Sequence, residues 1–376
     1  MKYYIIAGEA SGDLHGANLM KQLYKEDPKA EIRFWGGDLM KAVGGTLVTH
    51  YKERAFMGFI EVLMNLSKVL GFIKFCKKDI ANFHPDTLIF IDNSGFNLRV
   101  AKWAKTHGFK TNYYISPQVW ASRSSRVKDI KRDVDQLFVI LPFEKKFYQA
   151  HDYAVEFVGH PLIDAIADRT QVDEAIFRET HGLANKPIIA LLPGSRKQEI
   201  SKMLSVMLSL MDDFEDYEFV IAGAPSQEFS SYKQIIGDRK VGFINNNTYD
   251  LLSVSFAALV GSGTATLEAA LFKVPQVVCY KGSAISYQIA KRIITLKFIS
   301  LVNLIMDKEV VQELIQNDFT KKNLKTAFLK ILDPAHREAL FTAYYALEIT
   351  LGGKGASSKV AQQIVADLKQ HKERFV

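Results

Sequence analysis

The sequence predicts an α/β protein made of two doubly wound parallel sheets with a helical C-terminus. Three observations carry that expectation. Short apolar runs of strand length recur through the first 280 of the 376 residues, and segments of helical length separate most of them. The runs are nearly continuous rather than alternating, the pattern of strands buried on both faces, as in a parallel sheet covered by helices. The strand–helix rhythm also breaks once, at the polar stretch 168–186, and then restarts.

In the first series the runs are "YYIIAG" (3–8), "EIRFWG" (31–36), "DTLIFID" (86–92), "KTNYYIS" (110–116), "DQLFVIL" (135–141) and "AVEFVG" (154–159). The second series holds "PIIALLP" (187–193), "YEFVIAG" (217–223), "KVGFIN" (240–245), "FAALVG" (256–261) and "PQVVCY" (275–280). The domain boundary therefore falls near 160–186. From about 308 the chain reads as helical to its end, with a "LGGKGASSK" turn (351–359) before the last helix.

Composition bounds the class. A length of 376 residues exceeds one ordinary core, so two domains are expected. With 48% hydrophobic and 24% charged residues the chain is globular rather than disordered. The two cysteines, Cys76 and Cys279, sit in unrelated contexts, which fits a reducing compartment. No secretory region precedes the first strand and no run is long enough to span a bilayer, so a cytoplasmic protein is expected. The net charge of +7 allows an anionic partner, though on charge alone a solvated lysine-rich surface is the preferred explanation. No His/Cys/Asp cluster has metal-ligand spacing, and metal-free chemistry without a cofactor is expected.

In open α/β sheets ligands bind beyond the carboxyl ends of the strands, so the loops after strands are the candidates. "GEASGDLHG" (8–16) follows the first strand without the spacing of a dinucleotide fingerprint or the ending of a P-loop. Its acids Glu9 and Asp13 would repel a phosphate, so with Ser11 they suit a sugar hydroxyl; Asp13 suits a helix cap equally. "FIDNSGFN" (90–97) places Asp92 at a strand end, where a partly desolvated carboxylate could take a proton from an incoming hydroxyl. "LLPGSRKQEI" (191–200) brings the amides of Gly194 and Ser195 and the Arg196 guanidinium to a helix start, a natural diphosphate site. "GSGTATLEAA" (261–270) offers Ser262, Gly263 and Thr264 for close approach of a ligand and Glu268 for a ribose diol. His160 in "VGHPLID" reads as catalytic or as a buried neighbour of Pro161.

Two stretches, 57–78 with Lys68, Lys74, Lys77 and Lys78, and 284–301 with Lys291, Arg292 and Lys297, are apolar with basic edges. They suit a membrane surface or acyl chains, and buried-face helices with surface lysines look the same. The aromatic and basic stretch 116–132 carries no nucleic-acid motif, so no nucleic acid partner is expected.

In order, "GEASGDLHGA", "MGFIEVL", "ISPQVWA", "LPFEKKFY", "FVGHPLID", "LLPGSRKQEI", "GSGTATLEA" and "SLVNLI" resemble the motifs of the lipid-A-disaccharide synthase family. The resemblance implies a GT-B glycosyltransferase with two Rossmann-like domains and a cleft between them: an acceptor-side domain over 1–165 and a UDP-sugar domain over 166–345. The C-terminal helices of 346–376 would return to the first domain or reach a partner subunit in a homodimer. The implied reaction joins UDP-2,3-diacylglucosamine to 2,3-diacylglucosamine 1-phosphate (lipid X), giving a β(1→6) disaccharide and UDP with inversion and without a metal. On that resemblance Asp92 is the catalytic aspartate, Arg196 the diphosphate-binding arginine, Glu268 with Ser262 to Thr264 the nucleotide loop, and Asn303 an asparagine at the active site. Acylated anionic substrates imply peripheral association with the inner membrane.

The chain departs from the pattern at Gly95, where many relatives carry a second aspartate, so Asp92 must act alone or with another partner. Two further classes stay open on the sequence: a UDP-N-acetylglucosamine 2-epimerase or GT-B transferase with a soluble acceptor, and a non-enzymatic basic module for membranes or RNA. The latter leaves Asp92 and Arg196 without a task.

Overall fold

The computed structural model describes residues 1–54, 66–122, 124–225, 227–282 and 297–373. The chain divides into two compact units, Met1–Ala167 with Leu351–Val376, and Asp168–Thr350.

The first unit holds a seven-stranded sheet: β1 (Lys2–Ala7), β2 (Glu31–Gly36), β3 (Thr46–His50), β4 (Thr87–Ile91), β5 (Thr111–Tyr114), β6 (Gln136–Val139) and β7 (Glu156–Phe157). Its order is β3-β2-β1-β4-β5-β6-β7, and every pairing is parallel. Side chains of β1 go alternately to two cores. Tyr4 and Ile6 join Trp35, Cys76, Ile80 and Phe90 on one face. Tyr3, Ile5 and Ala7 join Leu19, Met20 and Leu23 on the other. Each face is thus covered by helices, which explains why the strands read as continuous apolar runs. The helix Leu66–Phe83 is tied to the sheet by Asp79, whose carboxylate accepts from Tyr4 Oη at 2.7 Å and from Arg33 Nε and Nη2 at 2.8 and 2.6 Å.

The last helix, Ala356–Glu373, belongs to this unit. Val360, Ala361, Ile364, Val365 and Leu368 form a stripe at i, i+4 and i+8 and complete the core between β1 and the helix Ala10–Glu26. Asp164 accepts from the Gly355 amide at 2.6 Å and the Ser357 amide at 3.3 Å, fixing the start of the helix.

The second unit holds six parallel strands: β8 (Ile188–Leu192), β9 (Glu218–Gly223), β10 (Gly242–Asn245), β11 (Ser255–Gly261), β12 (Gln276–Tyr280) and β13 (Glu313–Ile315). Their order is β10-β9-β8-β11-β12-β13. One face buries Ile188, Ala190, Leu192, Val220, Ala258 and Val260.

Two strands were not expected. β3 is an edge strand, and its burial alternates weakly because half of it meets solvent. β13 interrupts the stretch from 308 that reads as wholly helical; three residues at a sheet edge leave almost no periodic signal. Of the basic-edged stretches, 57–65 and 284–296 lie outside the described residues. Among the described residues no helix is long and apolar enough to cross a membrane.

Candidate active site

Each sheet reverses its strand order once, and the loops singled out in the sequence emerge at those reversals. In the first unit the reversal lies between β1 and β4, paired with Ala7 opposite Ile91. A doubly wound sheet opens a crevice at this point because flanking helices leave on opposite faces.

Asp92 directly follows β4. It and Asn93 both adopt left-handed backbone, each with φ +46°, before the helix Ser94–Thr106 begins. Asp and Asn tolerate this region better than other residues with a Cβ. The Asn93 side chain packs across to β1, where a side chain on Gly8 would collide with it, so the two loops are in contact. The Asp92 carboxyl is half-buried. Burial, reinforced by the negative charge of Glu9, raises its pKa to about 6 against the opposing pull of the Asn93 amide. Glu9 and Ser11 lie exposed at the start of the helix Ala10–Glu26. Gly95, where the second aspartate is missing, lies open to solvent, so Glu9 is the neighbouring carboxylate that reaches Asp92 electrostatically.

The structure places Asp13 in neither of its expected roles. It is 3% exposed, and its carboxylate accepts from the amides of Gly37, Leu39 and Met40 at 2.7, 3.0 and 3.1 Å. It therefore caps the short helix Asp38–Val43 instead of its own helix. His160 is buried. Burial and the neighbouring His15 lower its pKa to about 3, and its Nδ1 accepts from the Leu162 amide, as expected of a structural histidine.

In the second unit the reversal lies between β8 and β11. A side chain at Gly261 would meet the Leu192 carbonyl at 3.2 Å and the Gly194 amide at 3.3 Å, so the loops after the two strands touch. Gly194 carries φ +101°, which turns the chain into the helix Lys197–Leu208. Arg196 is the residue before this helix; Glu199 accepts from its amide and from Nη1, both at 3.3 Å. The guanidinium remains 83% exposed. An exposed cation beside the positive end of a helix is an arrangement for an anion. Ser262, Gly263 and Thr264 lead into the helix Thr264–Leu271, and Glu268 lies one turn further in. Burial pushes the Glu268 carboxyl up to about 7, opposed by Tyr249, whose Oη donates to Oε1 at 3.3 Å.

Residues 3–367 match the family model described as lipid-A-disaccharide synthetase. The chain belongs to the lipid-A-disaccharide synthase family. The lipid-A-disaccharide synthase of Geobacter sulfurreducens is 37% identical over 365 residues, covering 95% of this chain and 94% of that protein. The synthase of Syntrophus aciditrophicus is 38% identical over 377 residues, covering 97% of each. In fold, the chain is similar to the UDP-GlcNAc 2-epimerase of Neisseria meningitidis, solved bound to UDP-GlcNAc, with a TM-score of 0.67 at 12% identity over 98% of this chain and 100% of that one. The GT-B class expected from the sequence is thus the one the structure and its neighbours display.

In this member of the synthase family Asn303 does not present its side chain to a site. It is fully buried, and all four hydrogen-bonding positions are occupied within the chain. Nδ2 donates to the Val311 carbonyl at 2.8 Å and to Glu313 Oε1 at 2.9 Å; Oδ1 accepts from the Val310 and Val311 amides at 2.8 and 3.0 Å. It fastens the helix Leu301–Met306 to β13 instead of touching a substrate. Three residues around the site escaped the sequence reading. Asn97 ends the quoted "FIDNSGFN" stretch, five residues after Asp92 and in the first turn of the helix that follows it. Tyr113 and Tyr249 reach their partners through sheet pairing and packing, and left no signal in the sequence.

Proposed function

We propose that the chain catalyses transfer of the diacylglucosamine unit of UDP-2,3-diacylglucosamine to the 6-hydroxyl of 2,3-diacylglucosamine 1-phosphate, releasing UDP. Asp92 takes the proton of the acceptor 6-hydroxyl as its oxygen forms the bond to the anomeric carbon. The bond from that carbon to the diphosphate breaks on the opposite face, giving the β(1→6) product with inversion. A carboxyl with a pKa near 6 is anionic at neutral pH and more basic than an ordinary carboxylate, which suits it to this task.

The second unit holds the leaving group. Arg196, with the backbone of Gly194 and Ser195 at a helix start, meets the developing charge on the diphosphate. Ser262, Gly263 and Thr264 let the nucleotide approach the backbone, and Glu268 accepts from the ribose hydroxyls. Glu9 and Ser11 line the acceptor side, with Glu9 as the carboxylate that keeps Asp92 basic.

The observation that carries this reading is the Asp92 carboxylate, set at a reversal of strand order in a chain that matches the family over residues 3–367. Peripheral membrane binding belongs to the same proposal. The helix Leu66–Phe83 exposes Leu70 (54%) and Phe75 (48%) among the solvent-facing Lys68, Lys74 and Lys78, which suits the surface of an anionic bilayer.

The test is UDP release from UDP-2,3-diacylglucosamine with and without lipid X. Release that depends on lipid X and yields a disaccharide is the expected result. Release at the same rate without an acceptor refutes the transfer reaction and points to epimerase-like chemistry.

A further inference from the structure

The loop after β4 carries two consecutive residues with a Cβ in left-handed backbone, Asp92 and Asn93. Such a conformation costs free energy and lasts only where its surroundings over-determine it. The surroundings here are specific. The buried Asn97 amide donates to the carbonyls of Asp92 at 2.8 Å, Ile91 at 3.1 Å and Ile6 at 3.4 Å. The phenol of Tyr113, on the neighbouring strand β5, donates to the same Asp92 carbonyl. The Asp92 amide donates to the Tyr114 carbonyl at 3.3 Å. One carbonyl thus takes two side-chain donors from two different elements, at the residue where the backbone is strained.

The Tyr113 hydroxyl is not needed to close the sheet. β4 and β5 pair from Leu88 to Ile91 through their backbones, and β1 pairs with β4 up to Ile91. Tyr113 acts one residue beyond, at Asp92, where pairing stops, and Asn97 ties that same carbonyl to those of Ile91 and Ile6 at the strand ends. Burial, with the Asp92 charge, holds the Tyr113 phenol far above its ordinary pKa, so it stays protonated and remains a donor.

We propose that Asn97 and Tyr113 are positioning residues that clamp the Asp92 carbonyl and thereby hold the carboxylate in its proton-accepting orientation. This rests on the reading of Asp92 as the base. The groups that set its basicity, Glu9 and the Asn93 amide, lie on the two loops at the strand ends. A clamp that slackens lets the carboxylate swing away from Glu9 and toward water, so its pKa and its reach change together. A misplacement of about 1 Å is enough to cost up to about a hundredfold in rate.

The experiment compares wild type, Tyr113→Phe, Asn97→Ser and Asp92→Asn as full chains. It reads kcat, KM for both substrates, the pH profile of kcat and the thermal midpoint. Tyr113→Phe removes only the hydroxyl and serves as the mild variant if Asn97→Ser fails to fold. In the clamp variants kcat falls about tenfold or more, both KM values stay within about twofold, and the acidic limb of the profile moves down. Wild-type kcat in Tyr113→Phe with Asp92→Asn inactive overturns the clamp and leaves the base standing. A loss of kcat that only follows the thermal midpoint, with the limb unmoved, makes these residues merely structural. Wild-type kcat in Asp92→Asn overturns the base and the clamp with it.

Discussion

Asp92 owes its basicity to burial and to Glu9, and both effects favour the neutral carboxyl. With Asp92 as the proposed base, the anion is the competent form, so activity is present above the raised pKa and is lost as pH falls through it. The expected kcat/KM profile declines on acidification with a midpoint near 6, about two units above an ordinary aspartate, and initial rates at low substrate over pH 5 to 8 check it. Asp92→Asn should lower kcat by about a hundred- to ten-thousandfold. The linked stability effect has the opposite sign. A carboxyl whose folded pKa exceeds its unfolded value favours folding below the unfolded value and loses that contribution as pH rises through about 6. At pH 8 the Asn variant should therefore melt above wild type by calorimetry, although it is the less active protein. On the proposed diphosphate-binding role of the mostly exposed Arg196, Arg196→Ala should cost about 2 kcal/mol, roughly thirtyfold in kcat/KM, and lysine should restore it only in part. Asp92 stood out in the sequence because it directly follows an apolar strand, and Arg196 because it closes the loop between a strand and a helix. Asp13 and Asn303 were misread because their partners, 37–40 and 310–313, are supplied by segments whose proximity no local pattern reveals.

The strands buried on both faces were legible as continuous runs, whereas β3 and β13, short and at sheet edges, were not. The helix Ala356–Glu373 shows a clear apolar stripe, yet a stripe says only that a face is covered and not by what. The structure answers with the core around Tyr3, Ile5 and Leu19. Ile364→Ala in that stripe should cost about 2–5 kcal/mol, read as a lower urea midpoint at constant m-value. On the helix Leu66–Phe83 the buried face is supplied by Ile73, Cys76 and Ile80, which leaves Lys68, Lys74 and Lys78 exposed, with Lys77 partly buried over the Trp103 ring. Reversing Lys68, Lys74, Lys77 and Lys78 to Glu should weaken binding to vesicles with anionic lipid by about a hundredfold or more, at about 1 kcal/mol per charge, with UDP affinity unchanged. Vesicle binding at wild-type strength would remove this helix from the membrane contact.

Across the whole chain, the two sheets repeat one plan: a single reversal of strand order with the chemistry-bearing loops after the two strands that flank it. The polar stretch 168–186, which separates the two series of strands in the sequence, begins where the second compact unit begins, at Asp168. The return of residues 351–376 to the first unit had no such marker, because it depends on tertiary packing and on the Asp164 cap. The division of labour is the central claim: chemistry from the loops after β1 and β4, nucleotide binding from those after β8 and β11. Calorimetric titration of UDP into Asp92→Asn and Arg196→Ala tests it most directly. UDP affinity within about twofold of wild type in the first variant, with a loss of about tenfold or more in the second, is the predicted result. Equal losses in both, or wild-type affinity in Arg196→Ala, would contradict it.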